Sequence, residues 1–139
     1  MASFNKFESF VEAVSEKSHN LGSDTLKVAL SNTAPVATNT VFANITEISA
    51  GNGYTAGGTA ATITSSSQTS GTYKLVLADV TFTASGGSIS AFRYAVLYND
   101  TATNDELIGW WDYAASLTLT NGDAFTVDFS AANGVLTIA

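Results

Sequence analysis

The sequence predicts an all-β protein: an antiparallel β-sandwich or jelly roll of about eight strands, with one N-terminal amphipathic helix. Three observations carry this. Short runs rich in Val, Leu, Ile, Thr and aromatic residues are separated by Gly, Asn, Asp and Ser clusters every 8–12 residues or so. Only one stretch has apolar residues at helical spacing. Strand-like and helix-like segments do not alternate, as a βαβ architecture requires, and no internal repeat is present.

The helix is placed over Asn5–His19. Asn5 can cap it and Glu8, three residues on, can complete a capping box. Phe7, Phe10, Val11, Val14 and Leu21 form one stripe, with Glu12, Glu16 and Lys17 off it. Gly22 is a plausible stop. His19 falls near the C-terminal end, where a cation suits the helix dipole. Residues 1–22 are thus expected to form a helical segment that packs on, or extends from, a single β-domain over residues 23–139.

The first strand is Thr25–Ser31. Asn32–Asn39, with the only Pro, is a loop. Val41–Ile48 fits a strand or a short helix. Gly51–Gly58 (GNGYTAGG) must be flexible or tightly turned. Thr59–Ser65 reads as a strand and Ser66–Gly71 as a turn. In Thr72–Thr83, Tyr73, Leu75 and Leu77 share a face, and Val80 and Phe82 continue one residue out of phase. A β-bulge near Ala78-Asp79 would restore the pattern. Ser85–Ser88 turns again.

The centre of the chain is Phe92–Tyr113 (FRYAVLYND, TATNDEL, IGWWDY). Phe92, Tyr94, Val96 and Tyr98 fall on one strand face and Arg93, Ala95 and Leu97 on the other. Both faces are largely apolar, as in a strand covered on both sides. Leu107–Tyr113 alternates less cleanly, with Ile108, Trp110 and Asp112 on one face. Trp110 and Trp111 must point oppositely, so one anchors the core and the other lies under a loop or at a subunit contact. Strands follow at Ser116–Leu119, Ala124–Phe129 and Val135–Ile138, with Asn121-Gly122 the clearest tight-turn signal.

Composition narrows the function. Only 12% of the 139 residues are charged, about half the usual share of roughly 25%. Such a neutral, small-residue surface suits shells, fibres and secreted sandwiches. Five basic against twelve acidic residues give a net charge of −7. That disfavours nucleic acid, which needs a basic face, and anionic membranes. Cys is absent, which excludes a disulfide framework and thiolate metal sites. No segment reaches the roughly 18 apolar residues of a membrane span. The start, MASFNKFESF, lacks the basic and apolar regions of a signal peptide.

Motifs for catalysis are lacking, and no enzyme is expected. His19 is the only histidine, and no G-x-S-x-G elbow accompanies it, so a triad or a His-based metal site is not supported. GNGYTAGG is not G-x-G-x-x-G and no Lys follows, so positive-φ turns explain it better than a phosphate loop. Asn99, Asp100, Asn104, Asp105 and Glu106 offer oxygen to Ca²⁺ without its loop spacing, and read first as turn formers. Asp112, beside Trp111 and Tyr113, is the one tempting carboxylate for glycoside hydrolysis, with a structural hydrogen bond as the ordinary alternative. Asn44-Ile45-Thr46 and Asn99-Asp100-Thr101 match the glycosylation sequon. No cofactor or metal is implied.

FNKFESFVEAVSEKSHNLGSDTLKVALSNTAPVATNTVFANITEI, GNGYTAGG, FRYAVLYND, IGWWDY and FTVDFSAANGVLTIA together resemble small virion proteins of tailed bacteriophages. HNLGSDTLKVAL (His19–Leu30) and WWDY (Trp110–Tyr113) are the most specific parts. The resemblance implies a capsid decoration, or cement, protein: a β-sandwich or jelly-roll unit that forms a homodimer or homotrimer on the outer surface of the head and bridges subunits of the major capsid protein. It would be made in the host bacterial cytoplasm. Head-fibre, neck and tail components are compatible with the same resemblance. Aromatic content and strand position nominate Phe4, Phe7, Phe10, Trp110, Trp111 and Tyr113 as partner contacts. A different class is a glycan-binding sandwich module that stacks sugar on Tyr98, Trp110, Trp111 and Tyr113.

Overall fold

A strand with apolar residues on both sides has to lie inside, and this one does. In the computed structural model, which describes residues 2–139, strand β7 (Ile89–Asn99) lies between β2 (Leu26–Ser31) and β8 (Leu107–Leu119). Tyr94 through Asn99 are all buried. The edges of this five-stranded antiparallel sheet are β1 (Phe4–Lys6), bonded to β8, and β3 (Thr59–Ala61), bonded to β2. A three-stranded antiparallel sheet runs β10 (Leu136–Ile138), β5 (Thr72–Leu77), β4 (Ile63–Thr69). A two-stranded one pairs β6 (Val80–Thr83) with β9 (Ala124–Val127). The fold is therefore mainly β and antiparallel. No helix among the described residues is long and apolar enough to cross a membrane.

Two cores flank the central strands. The main one joins all three sheets: Val28 and Leu30 of β2, Ala95 and Leu97 of β7, Trp111 of β8, Leu75 and Leu77 of β5, Phe82 of β6, and Val127 of β9. On the opposite side of the five-stranded sheet, Phe7, Ala29, Val96, Tyr98 and Leu107 form a second cluster. Phe42, in a single 3₁₀ turn (Phe42–Asn44), closes it by stacking on Tyr98 at 4.1 Å between centroids, 11° from parallel. The stretch Val41–Ile48, which fitted a strand or a helix, is thus a lid that bridges singly to Glu106 and Ser31.

The N-terminal helix is much shorter than its stripe suggests. Helix α1 spans Phe10–Ser15 only. Lys17, at φ 69°, lies just beyond its end. Residues 4–6 are strand because β8 has an open edge there: Phe4 lies opposite Trp111 and Asn5 opposite Trp110. Asn5 caps nothing; its amide donates to the carbonyls of Ser3 and Trp110. Ser9 stands at the N-cap position without a side-chain bond. The stripe still marks burial, since Phe7, Phe10 and Leu21 are inside, but Val11 is 52% exposed.

Phase slips in the strands have a common cause. The break at Ala78-Asp79 is not a bulge within one strand. Here the chain leaves the three-stranded sheet for the two-stranded one, and Asp79 Oδ1 accepts the Phe129 N–H at 2.8 Å. Leu75 and Leu77 before the corner and Val80 and Phe82 after it all enter the same core. In β8, Tyr98 faces Leu107 but Leu97 faces Gly109, so one extra residue accommodates Ile108. This bulge turns Ile108 to the Trp111 side, away from the expected company of Trp110. A wider irregularity lies between Phe92 and Tyr94, where β8 accommodates Ala114 at φ 69°. It moves Phe92 to the face of Ala95 and Leu97, not that of Val96. Leu107–Tyr113 and Ser116–Leu119 are consequently one long strand.

The remaining turns follow their residues. β4 runs on through Thr69, so only Ser70-Gly71 turns, both at positive φ. Asn121-Gly122 is a tight turn closed by the Asp123 N–H to the Thr120 carbonyl at 2.8 Å, and it carries the chain from one sheet to another. In GNGYTAGG, Gly58 sits at φ +80°, and a Cβ there would come within 1.9 Å of the Val28 carbonyl oxygen.

Truncating the doubly covered strand should be costly. Leu97→Ala is expected to lose about 2–5 kcal/mol of unfolding free energy, and Val11→Ala less than about 0.5 kcal/mol, as read by denaturant titration. Equal losses would mean that β7 is not the centre of the packing.

Candidate functional site

The central strand ends on a buried amide. Asn99 Oδ1 accepts the backbone N–H groups of Thr101 (2.9 Å) and Ala102 (3.2 Å). Backbone N–H groups can only donate, so this fixes which end of the amide is oxygen. The Asn99 NH₂ therefore donates on its other side, to Asp24 Oδ2 at 2.7 Å and to His19 Nδ1 at 3.0 Å. Asp24 also accepts the Asn20 N–H at 2.8 Å. The turn after α1, the approach to β2 and the β7–β8 loop are thereby tied at one point.

His19 is not at a helix end. It is 7% exposed, beyond the last turn of α1, with its ring 5.4 Å from that of Phe10. Burial lowers its pKa below the ordinary value of 6.5, against the opposing pull of Glu106 and Asp24. A neutral ring whose Nδ1 accepts a hydrogen bond carries its proton on Nε2. That Nε2 is the one buried side-chain polar atom without a partner among the described residues. His19 forms part of the wall of a 680 Å³ cavity with Val14, Lys17, Asp24, Tyr73 and Glu106. Of these, the sequence singled out only His19 and Glu106 as candidate site residues, in other roles. Nothing in the order of residues links Asp24, Asn99 and His19.

The aromatic candidates separate into distinct places. Phe7, Phe10 and Trp111 are buried in their own chain and leave a partner almost no surface. Phe4 packs on Trp111 at 5.4 Å, and Trp111 on Phe129 at 5.3 Å. Trp110, on the other side of the sheet, packs on Phe7 at 4.6 Å. Tyr113 meets Phe125 edge-on at 4.9 Å, and burial with Asp128 nearby pushes its phenol up to about 12. Phe4, Trp110 and Tyr113 are half-buried, Phe4 and Tyr113 against the main core and Trp110 against the second cluster. The stacking strip does not form either, because Tyr98 and Trp111 face inward.

Three of the candidate carboxylates, Asp100, Glu106 and Asp112, are engaged. Asp112 takes a two-pronged bond from Arg93, Nε to Oδ1 at 2.8 Å and an η nitrogen to Oδ2 at 3.1 Å, plus the Ala114 N–H. The Arg93 bonds, more than the rest, hold its pKa below the usual carboxylate range, opposite to what a general acid needs. In the β7–β8 loop, Asp100 pairs with Lys27 at 3.1 Å and Glu106 accepts the Asn104 N–H at 3.3 Å. Among the described residues no group of three or more His, Cys, Asp or Glu stands together as a metal site. Asn99, in one of the sequons, is fully buried.

Glu47 organises the GNGYTAGG loop. Its Oε2 accepts the Tyr54 hydroxyl and the Gly57 N–H, both at 2.6 Å. The Tyr54 oxygen in turn accepts the Leu30 N–H at 3.0 Å, and Tyr98 donates its hydroxyl to the Gly57 carbonyl at 2.6 Å. Burial pushes both phenols well above their ordinary range.

No protein-family model, no curated protein and no solved structure matches this chain.

Two measurements follow from the polar networks. The unfolded chain binds a proton at His19 near pH 6.5 and the folded chain resists it. Stability should thus fall as pH drops below about 6.5, towards the lower folded value. Thermal unfolding between pH 8 and 5 should show this slope, and His19→Gln should flatten it. An unchanged slope in the variant would assign it elsewhere; the lowered carboxylates Asp112 and Asp123 act in a more acidic window. Tyr54→Phe removes the acceptor of a buried N–H and should cost about 1–3 kcal/mol, measured by denaturant titration.

Proposed function

We propose that this chain is a non-enzymatic structural component of a tailed-phage virion, a decoration protein that bridges major capsid subunits as an oligomer. The observation that carries the reading is an open sheet edge. Strand β4 (ITSSSQT) bonds only to β5, and its residues are mostly exposed and uncharged, without Pro. Monomeric proteins usually blunt such edges with Lys, Pro or a cover. An edge left open suits pairing with an identical strand of a second copy. The low charge of the chain and its resemblance to virion proteins support the same reading, and Asp112, the carboxylate beside the aromatics, is held by Arg93.

The architecture belongs to the proposal. The five-stranded sheet would form one layer, and the three- and two-stranded sheets the other, of a jelly-roll-like sandwich. A small bridging unit adds contact area across shell joints that internal pressure would open, and many copies multiply a modest affinity per contact.

The test is protein identification on purified particles, followed by electron microscopy. The expected result is this chain on the outer face of the head, with β4 at a contact between copies. Particles that lack the chain overturn the reading, and density confined to the neck or tail overturns the capsid assignment.

A further inference from the structure

We infer that β4 joins two copies of this chain by antiparallel pairing about a two-fold axis through Ser67. This pairing rests on the open edge that carries the proposed function, and gives that contact its symmetry and register. Of the other strands that end a sheet, β1, β3 and β10 have three residues and β6 and β9 four. Shortness is one way of blunting an edge. β4 has seven residues, and its outer side has no strand partner among the described residues.

The hairpin fixes which backbone groups point outward. β4 and β5 are joined by the two-residue turn Ser70-Gly71, both at positive φ, with Thr69 opposite Thr72. Such a turn bonds its first carbonyl to the N–H three residues on, so the Thr69 carbonyl points to β5. Bonding direction alternates along a strand. Thr69, Ser67 and Ser65 therefore bond to β5, and Gln68 and Ser66 turn their N–H and C=O groups outward. The register slips between Ile63 and Ser65, and beyond Thr69 the chain turns. The free strip is thus Ser65–Thr69, with its outward residues placed evenly about Ser67.

A strip symmetrical about its middle residue is complementary to itself when reversed. With Ser67 of each copy on the axis, Ser66 and Gln68 of one copy lie opposite Gln68 and Ser66 of the other. Each pair exchanges two backbone bonds, four in all. A register two residues away on either side would need Thr64, at the slip, or Ser70, at φ 51° in the turn. The side chains agree with this. Ser65, Ser67 and Thr69 bring hydroxyls face to face, a favourable pairing across strands, and β4 has no charge. Lys74, opposite Ser67, would stand three strand spacings from its copy, about 14 Å, beyond the roughly 8 Å screening length. The contact is isologous and closes at two copies.

The experiment is thiol trapping on the full chain. Cys is absent, so introduced thiols report alone. Residues opposite each other in a non-hydrogen-bonded pair have Cα atoms about 4.5 Å apart, within the roughly 4.4–6.8 Å that a disulfide spans. Under mild oxidation Ser67→Cys should form a covalent dimer. Ser65→Cys and Thr69→Cys alone should do so at least tenfold more slowly, since neither position meets itself. Mixed together, these two should form the mixed dimer at a rate comparable to that of Ser67→Cys. Gln68→Pro removes two of the four bonds between copies and none to β5. Added to Ser67→Cys, it should slow trapping at least tenfold; alone and diluted, it should leave the thermal midpoint unchanged. The pairing is overturned if Ser67→Cys stays monomeric, if the three single Cys variants react alike, or if Gln68→Pro leaves trapping unchanged. A lowered midpoint in Gln68→Pro also overturns it, since that N–H would then be bonded within the chain. All of this is read on the isolated protein, so its failure is distinct from absence of the chain from particles.

Discussion

Everything in this molecule depends on the second half of β7, Tyr94–Asn99, having no wet face. A strand apolar on one side needs one partner layer; a strand apolar on both needs two. Ala95 and Leu97 bind the five-stranded sheet to the other two sheets through the main core. Val96 and Tyr98 require a cover on the far side, which Phe7, Phe42 and Trp110 provide. Trp110 reaches over from the neighbouring β8, whereas Phe7 and Phe42 lie on segments that are otherwise irregular. They are held where they are by the need to keep that second face dry, at about 25 cal/mol per Å² of apolar surface.

Covering a sheet with irregular chain creates a second constraint, because the backbone it meets must still be hydrogen-bonded. β3 pairs with β2 only from Leu26 to Val28. Past that point the edge of β2 would be bare. Leu30 instead receives the Ile48 N–H at its carbonyl and gives its own N–H to the Tyr54 hydroxyl. Glu47 holds Tyr54 and Gly57 together, and Gly58 lets the loop touch Val28 where a side chain could not fit. One carboxylate and a few positive-φ residues thus replace two further rungs of a ladder. The same device is missing at β4, whose outer edge is left to whatever lies beside it.

How much of this was legible in the residues depends on range. The β class, the doubly apolar β7, the turns at Ser85–Ser88 and Asn121-Gly122, and the opposite fates of Trp110 and Trp111 follow from local periodicity, and the structure has them. The helix expected over Asn5–His19 is realised only over Phe10–Ser15, because the stripe from Phe7 to Leu21 records burial more than winding: an edge of β8 took residues 4–6 into a sheet. The slip at Ala78-Asp79 was visible, but a sheet-to-sheet corner and a bulge shift the phase alike. The His19 site was hidden, since it unites residues 19, 24 and 99, and only the folded chain brings them together.

That site is also where the sequence and its stability disagree. A buried imidazole N–H without an acceptor costs about 1–3 kcal/mol, and a methionine at position 19 would avoid that only by leaving the Asn99 N–H that Nδ1 accepts without a partner. The rest of the network is well made: Asn99 uses its oxygen twice and its amide twice, and Asp24 accepts from two donors. The unpartnered Nε2–H is thus the counterpart of an Nδ1 that accepts from Asn99, its tautomer decided by the backbone bonds that orient that amide.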